Sequence, residues 1–367
     1  MAIVNMERTL ARLGVAVTTV TTDDDGPSGR RRMAPMSEAV PGMRRHYFRK
    51  WIDFYKVAPG LAVWLWRHVH EFDVVHIHAL FSFSSMAAAW AARLRGVPYV
   101  LRPLGTLTSY GLTQRRPLLK RLSLALLEGP ALRSAAAVHF TSDEERFEAR
   151  ESGVAMREVV IPVGIEAFRP VDGTLLRAHF PTLGSAPYLL YLSRLDPKKN
   201  LEGLLRAFRD CSSHWSDVKL LVAGDGVPGY VASLKALAIE LGLVDSVVWA
   251  GHIDGDLKRS AMGGAALFVL PSFSENFGIA AAEALMAGLP CVLGQGVAIS
   301  RDVVDSGAGV AVAPDAGSIA AGLTRVMADT QVRADMSACA STLARAKYST
   351  QAMGQSLVQL YSGILKR

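Results

Sequence analysis

Glu275 and Glu283 stand eight residues apart in the string Pro271-Ser-Phe-Ser-Glu275-Asn-Phe-Gly278-Ile-Ala-Ala-Ala-Glu283. The apolar run before it, residues 265–270, reads as a buried parallel strand. Residues 278–286 lack proline and are rich in Ala, Leu and Met, so they read as a helix. Glu275 then lies in the strand-to-helix loop and Glu283 in the first or second helical turn. Open α/β sheets bind ligands at such strand ends. Two acceptor-only side chains there suit a ligand rich in hydroxyls, such as a sugar or ribose. The plainer reading makes Glu275 a partner of the helix N-terminus and Glu283 a solvated helix position.

A second constellation lies about eighty residues upstream, in Tyr188-Leu-Leu-Tyr-Leu-Ser193-Arg194-Leu-Asp-Pro-Lys198-Lys199-Asn200. An apolar strand runs into Arg194, a turn follows at Pro197, and Asn200 reads as the cap of the next helix. Arg194 and Lys199 therefore stand at a strand end and a helix start, where N–H groups and the positive dipole end receive phosphate. Arg offers a planar fork to phosphate oxygens and Lys a mobile point charge. Read alone, they are equally two solvated cations.

The order Ser-Arg-Leu…Lys-Lys-Asn, then Leu220-Leu-Val-Ala-Gly224-Asp-Gly226, then Val248-Trp-Ala-Gly251-His252, then Glu-x7-Glu resembles glycosyltransferase family 4. That family comprises retaining enzymes of GT-B fold that use nucleotide-sugar donors. The resemblance implies an α/β chain with two Rossmann-like doubly wound domains facing across a cleft. It makes Glu275, Arg194 and Lys199 the catalytic residues. Arg194 and Lys199 would hold the donor diphosphate as it leaves, and Glu275 the sugar hydroxyls. The backbone of Asn276, Phe277 and Gly278 would lie near sugar or phosphate, Glu283 on the ribose, and Gly251 and His252 near the base. The leaving phosphate itself would take the acceptor proton, so no separate protein base, metal or cofactor is expected.

Domains are expected at residues 1–165 for the acceptor side and 166–348 for the donor, with 349–367 packing back on the first. Within the first, residues 73–78, 97–102 and 136–141 read as short buried strands alternating with helices. Thr141-Ser-Asp-Glu144 reads as a capping box. Acceptor-side candidates are His78, at a strand end, and Arg102 and Gly105 in Arg102-Pro-Leu-Gly105. That segment resembles a Pro-Arg-Gly stretch of a polysaccharide-building branch, with Leu104 where the branch has Arg. Val163 and Glu166 likewise replace the Asn and Asp usual in the exit loop.

The 367 residues suffice for two domains, and no apolar window of spanning length is free of charge. Cys211, Cys291 and Cys339 lack metal-ligand spacing and fit a reducing cytoplasm, Cys291 as a core residue. No signal-peptide layout opens the chain, so a cytoplasmic protein, peripheral on the inner face of the membrane, is expected. The net charge of +7 is confined to residues 1–170, with 23 Lys and Arg against 16 Asp and Glu. Basic stretches at 30–32, 44–51 and 115–121, the last leading an apolar run from 118 to 132, suit an anionic membrane or a lipid-linked acceptor. The plainer reading is a solvated face. No nucleic-acid reader motif is present.

Two features complicate this picture. The family's first strand and Gly-rich loop are missing ahead of the helix at 5–13, which should leave an open core; an upstream true start or a nucleotide-sugar-binding pseudoenzyme would account for it. Asp23-Asp24-Asp25 is either a metal site of the other large glycosyltransferase fold or a solvated Asp-Gly turn, and the turn is preferred. A nucleotide-sugar epimerase is the more distant alternative.

Overall fold

The computed structural model describes residues 2–24, 42–108, 117–167, 171–212, 215 and 217–366. It divides into one unit of Met1–Gly164 with Thr350–Arg367 and a second of Ile165–Ser349.

In the first unit the strands are β1 (Val17–Thr22), β2 (Met43–Phe48), β3 (Val75–His78), β4 (Tyr99–Arg102), β5 (Ala137–Phe140) and β6 (Glu158–Val160). β1 consists of Val and Thr alone, side chains that favour extended backbone. It pairs in parallel with β2, while β3-β4-β5-β6 form a separate parallel sheet. Among the described residues, β1 and β3 each keep one edge without a strand partner. The core nevertheless closes, contrary to the expectation of an open one. Met6 and Leu10 of the helix Ala2–Arg12 pack with Val100, Ala137 and Ile161, and with Met353, Leu357 and Tyr361 of the helix Thr350–Leu365.

The capping box falls one residue later than expected. Ser142 accepts from the Glu145 N–H at 3.1 Å, and the Glu145 carboxylate reaches back to the N–H and hydroxyl of Thr141.

The second unit holds β7 (Tyr188–Leu192), β8 (Lys219–Ala223), β9 (Val247–Gly251), β10 (Leu267–Leu270), β11 (Cys291–Gly294) and β12 (Gly309–Val312). All pair in parallel in the order β12-β11-β10-β7-β8-β9. The strands are near-continuous apolar runs because helices cover both faces; Leu189, Leu190, Phe268 and Val269 are fully buried. From β7 the chain builds outward through β8 and β9, then returns to the other side of β7 with β10. The order therefore reverses between β7 and β10, the kind of position where doubly wound sheets bind ligands.

Candidate active site

The loops leaving β7 and β10 emerge side by side at that reversal, and they carry the two constellations. Lys199 ends the 3-10 turn Pro197–Lys199, whose first N–H groups are held by Asp196; the Asp196 carboxylate accepts from the Lys198 N–H at 3.0 Å. The Lys199 ammonium forms an ion pair with Glu275. Only 8% of Lys199 is exposed, so it is not the surface cation that its sequence context implied. Three further bonds tie these loops to each other and to the segment after β12. Phe273 N–H donates to the Lys198 carbonyl at 3.0 Å, and Asn200 Nδ2 donates to the Pro271 carbonyl at 3.2 Å and the Pro314 carbonyl at 2.8 Å. Asn200 also caps the following helix, its Oδ1 accepting from Gly203 N–H at 3.3 Å. Arg194 is exposed at the mouth of the same loop.

A third loop, after β11, fixes Glu275 from the other side. Glu275 N–H donates to the Gly296 carbonyl at 2.9 Å, and Ala298 N–H to the Glu275 carbonyl at 3.1 Å. Asn276 is exposed, while Phe277 is buried edge-on against Tyr348 with ring centroids 5.6 Å apart. Gly278 then turns into the helix Ile279–Met286 at φ 88°, a left-handed conformation that suits glycine. No side chain caps this helix, so its first N–H groups remain available to an anion.

Glu283, on that helix, is no solvated position. It is 15% exposed and paired at 2.6 Å with Lys258 of the helix Gly255–Gly263. Lys258 was not singled out in the sequence, where nothing local links it to Glu283. Gly251, at φ 63°, accepts from Gly224 N–H at 2.7 Å, and His252 beside it is exposed. The second unit thus brings Arg194, Lys199, Glu275 and the Gly278 turn to one sheet edge, with Glu283 one and a half turns along.

In the first unit, His78 and Arg102 end β3 and β4 and are direct neighbours across the pair. Gly105 follows in a turn at φ 74°, its N–H already donating to the buried Glu145 carboxylate at 2.6 Å. Sequence reasoning missed Glu145, and it missed His76 and His139, which join this cluster. Rings His76 and His78 stack at 4.7 Å. Burial first, then the nearby Arg102 charge, pushes the imidazoles of His78 and His139 down to about 3, and His76 is lowered as well.

An acid dependence follows from these shifts. An unfolded chain, with histidines near 6.5, binds protons that the native cluster refuses. Stability is therefore flat above pH 7 and falls as pH drops from 6.5 toward 3. By pH 5 His139 alone should account for about 2 kcal/mol. Urea midpoints at pH 7 and pH 5 test this: the loss should shrink by that amount in His139→Gln, and equal losses in both proteins would refute it.

Of the aspartate cluster, Asp23 and Asp24 are paired rather than solvated, and the Asp-Gly turn expected after them lies outside the described residues. Asp23 accepts from Lys50 N–H at 2.7 Å, and Asp24 pairs with Lys50 and, at 2.9 Å, with Lys56; Asp25 lies outside the described residues. Among the described residues no group of three His, Cys, Asp or Glu is placed to hold a metal. In the 44–51 stretch Arg45 pairs with Glu7 and Lys50 with Asp24, so part of that basic run is internally neutralised. The stretch at 30–32, with Arg115 and Arg116, lies outside the described residues. The 118–132 run is helical, and it leaves Leu118 at 79% and Leu126 at 64% exposed beside Lys120 and Arg121. Cys291 is a core residue, as expected. No helix among the described residues is long and apolar enough to cross a membrane.

Residues 2–164 match the family Glycosyl transferase 4-like domain, and residues 176–342 match Glycosyl transferases group 1. The chain belongs to the glycosyltransferases of family 4 type, with the GT-B fold. It is 29% identical over 244 residues to the alpha-D-kanosaminyltransferase of Streptomyces kanamyceticus, covering 65% of this chain and 63% of that one. It is 27% identical over 307 residues to the GDP-mannose:cellobiosyl-diphosphopolyprenol alpha-mannosyltransferase of Komagataeibacter xylinus, covering 83% and 73%. The first of these matches spans less than two thirds of its relative's length. The fold is similar to that of sucrose-phosphate synthase from Thermosynechococcus elongatus, with TM-score 0.76, 22% identity, and coverage of 99% and 92%. Anabaena HepE, in complex with UDP and glucose, gives TM-score 0.70 at 21% identity over 88% and 86%.

Proposed function

We propose that this protein is a retaining glycosyltransferase that moves a hexose from a UDP- or GDP-sugar to a glycan or lipid-linked acceptor in cell-surface polysaccharide or glycolipid synthesis. The observation that carries this reading is the convergence of Lys199, Glu275 and Arg194 at the β7/β10 reversal. Cleaving a glycosyl–phosphate bond builds negative charge on the diphosphate. Cations fixed beforehand at that place act on the transition state more than on the ground state. Lys199, aimed by its ion pair, and the open Arg194 suit the two ends of a diphosphate. The uncapped helix behind Gly278 adds N–H donors. Glu275, with one oxygen on Lys199, retains acceptor capacity for sugar hydroxyls, and Glu283 for ribose. These cations take the role a divalent metal plays elsewhere, so activity should survive chelator. The activities for which the similar kanosaminyltransferase and cellobiosyl-diphosphopolyprenol mannosyltransferase are named support the class of reaction. The exposed leucines beside Lys120 and Arg121 favour a lipid-linked acceptor presented at the inner, anionic face of a membrane.

A second reading, a nucleotide-sugar-binding pseudoenzyme, draws on the divided sheet of the first unit. Thermal unfolding with UDP, GDP, ADP and their sugar conjugates comes first. A ligand at a hundred times its Kd adds about 2.7 kcal/mol, which shifts the midpoint clearly. One nucleotide should do so, and Glu283→Ala should weaken it at least tenfold while Lys258→Ala weakens it less. Absence of any shift in folded protein refutes donor binding, and a shift without turnover of the matching donor selects the pseudoenzyme.

A further inference from the structure

Parallel pairing sets His78 opposite Arg102, and Leu101 opposite Val138, so His139 follows one residue along on β5. Side chains in register on parallel strands share a face. His78, Arg102 and His139 therefore form a row across the C-terminal ends of three adjacent strands. Below the row a hydrogen-bond chain is complete. His139 Nε2 donates to the Ile161 carbonyl at 2.8 Å, which leaves its Nδ1 to accept from His76 Nε2 at 3.3 Å. His76 Nδ1 in turn accepts from the Tyr361 hydroxyl at 2.7 Å. That chain fixes two neutral tautomers and uses every polar atom in it.

Arg102 and His78 stand outside it. Arg102 is 2% exposed, and among the described residues its side chain makes no ion pair; its Nε is buried without a partner, as is His78 Nδ1. The nearest carboxylate is Glu145, whose two oxygens are already engaged by Gly105 N–H, Thr141 N–H and the Thr141 hydroxyl. A guanidinium cannot shed its proton, so a buried one without a direct ion pair carries a desolvation cost that the Glu145 charge offsets only in part. A metal ion is excluded by the same charge. We propose that the row is an oxyanion site in which Arg102 and His78 grip a phosphate group of the acceptor. The anion site stands on this geometry; its assignment to the acceptor rests on the glycosyltransferase reading above.

The test uses the full chain with ¹⁵N-labelled histidine, the His78 ring signals being assigned by their loss in His78→Asn. Inorganic phosphate, pyrophosphate, a hexose phosphate and a short prenyl diphosphate are titrated in turn. The His78 ring nitrogens should shift saturably with at least one probe, and Arg102→Gln should weaken that response at least tenfold. A preference for the prenyl diphosphate over the hexose phosphate marks a lipid source, and the reverse a soluble one. An unmoved His78 signal with all four probes, or an equal response in Arg102→Gln, overturns the proposal. If Arg102→Gln fails to fold, Arg102→Lys decides, because loss of the fork should weaken binding several-fold and unchanged binding would overturn it. The readout is local to the first unit. Nucleotide-dependent melting with a silent His78 leaves the donor reading intact and removes this site; the opposite pattern removes the donor reading and the acceptor assignment with it, and keeps the anion site.

Discussion

Lys199→Ala should lower turnover by two to three orders of magnitude and also cost the fold about 1–3 kcal/mol. The first effect follows from position: removing a single preorganised partner of a charge that develops in the transition state has a cost of that size. The second departs from what the sequence implied, since an exposed lysine would cost about half a kcal/mol at most. Lys199 is buried and holds Glu275, which is itself only 18% exposed. Deleting the cation leaves a shielded carboxylate without its partner. Lys199→Ala in a Glu275→Gln background should therefore cost less stability than in the wild type, while turnover stays low in both. Steady-state kinetics on a working donor, with urea unfolding of the four proteins, checks both parts. Full activity in Lys199→Ala would show that the diphosphate does not sit there.

Gly224→Ala should destabilise the second unit by about 4 kcal/mol or more. Two independent penalties combine. Gly224 has φ 139°, outside what an alanine adopts readily, and an added Cβ would lie 1.8 Å from the Ser193 carbonyl oxygen. That oxygen is backbone and cannot swing aside. The contact is tight because pairing continues past the ends of β7 and β8, with Ser193 N–H on the Ala223 carbonyl at 3.1 Å and Leu195 N–H on the Asp225 carbonyl at 2.8 Å. Any shift that relieves the clash displaces residues 193–195, Arg194 among them. Gly229→Ala is the control: an added Cβ there meets nothing within 4 Å, in the first turn of the helix Pro228–Glu240, and should be neutral or slightly stabilising. Denaturant midpoints separate the two, and similar values for both variants would contradict the steric account.

Strands β7 and β10 of the second unit were legible because buried parallel strands are written as apolar runs. Their loops could be read for charge, so Arg194, Lys199, Glu275 and Glu283 were placed on the right element ends. What could not be read was who meets whom. Lys199 and Glu275 are 76 residues apart, and their pairing depends on β10 returning beside β7. Lys258 and Glu283 meet for a similar reason. Asp23 and Asp24 could not be read as paired because their partners, Lys50 and Lys56, come only after the end of β2. The cap at the start of helix Asp143–Arg150 shows a finer limit. Thr141-x-x-Glu144 and Ser142-x-x-Glu145 both fit the pattern, and only burial of the second carboxylate distinguishes them.

The assignment of the helix Thr350–Leu365 to the first unit has a consequence for synthesis. The second unit is inserted within the first, so the ribosome completes all of residues 165–349 before the first unit receives its closing helix. Chains ending at residue 349 should carry a complete second unit able to fold while Met6, Leu10 and Val100 still lack Met353 and Leu357. His76 meanwhile waits for Tyr361, which is made 285 residues later. The first unit thus completes its core only after the second has been synthesised, and its apolar face stays open to a chaperone until then.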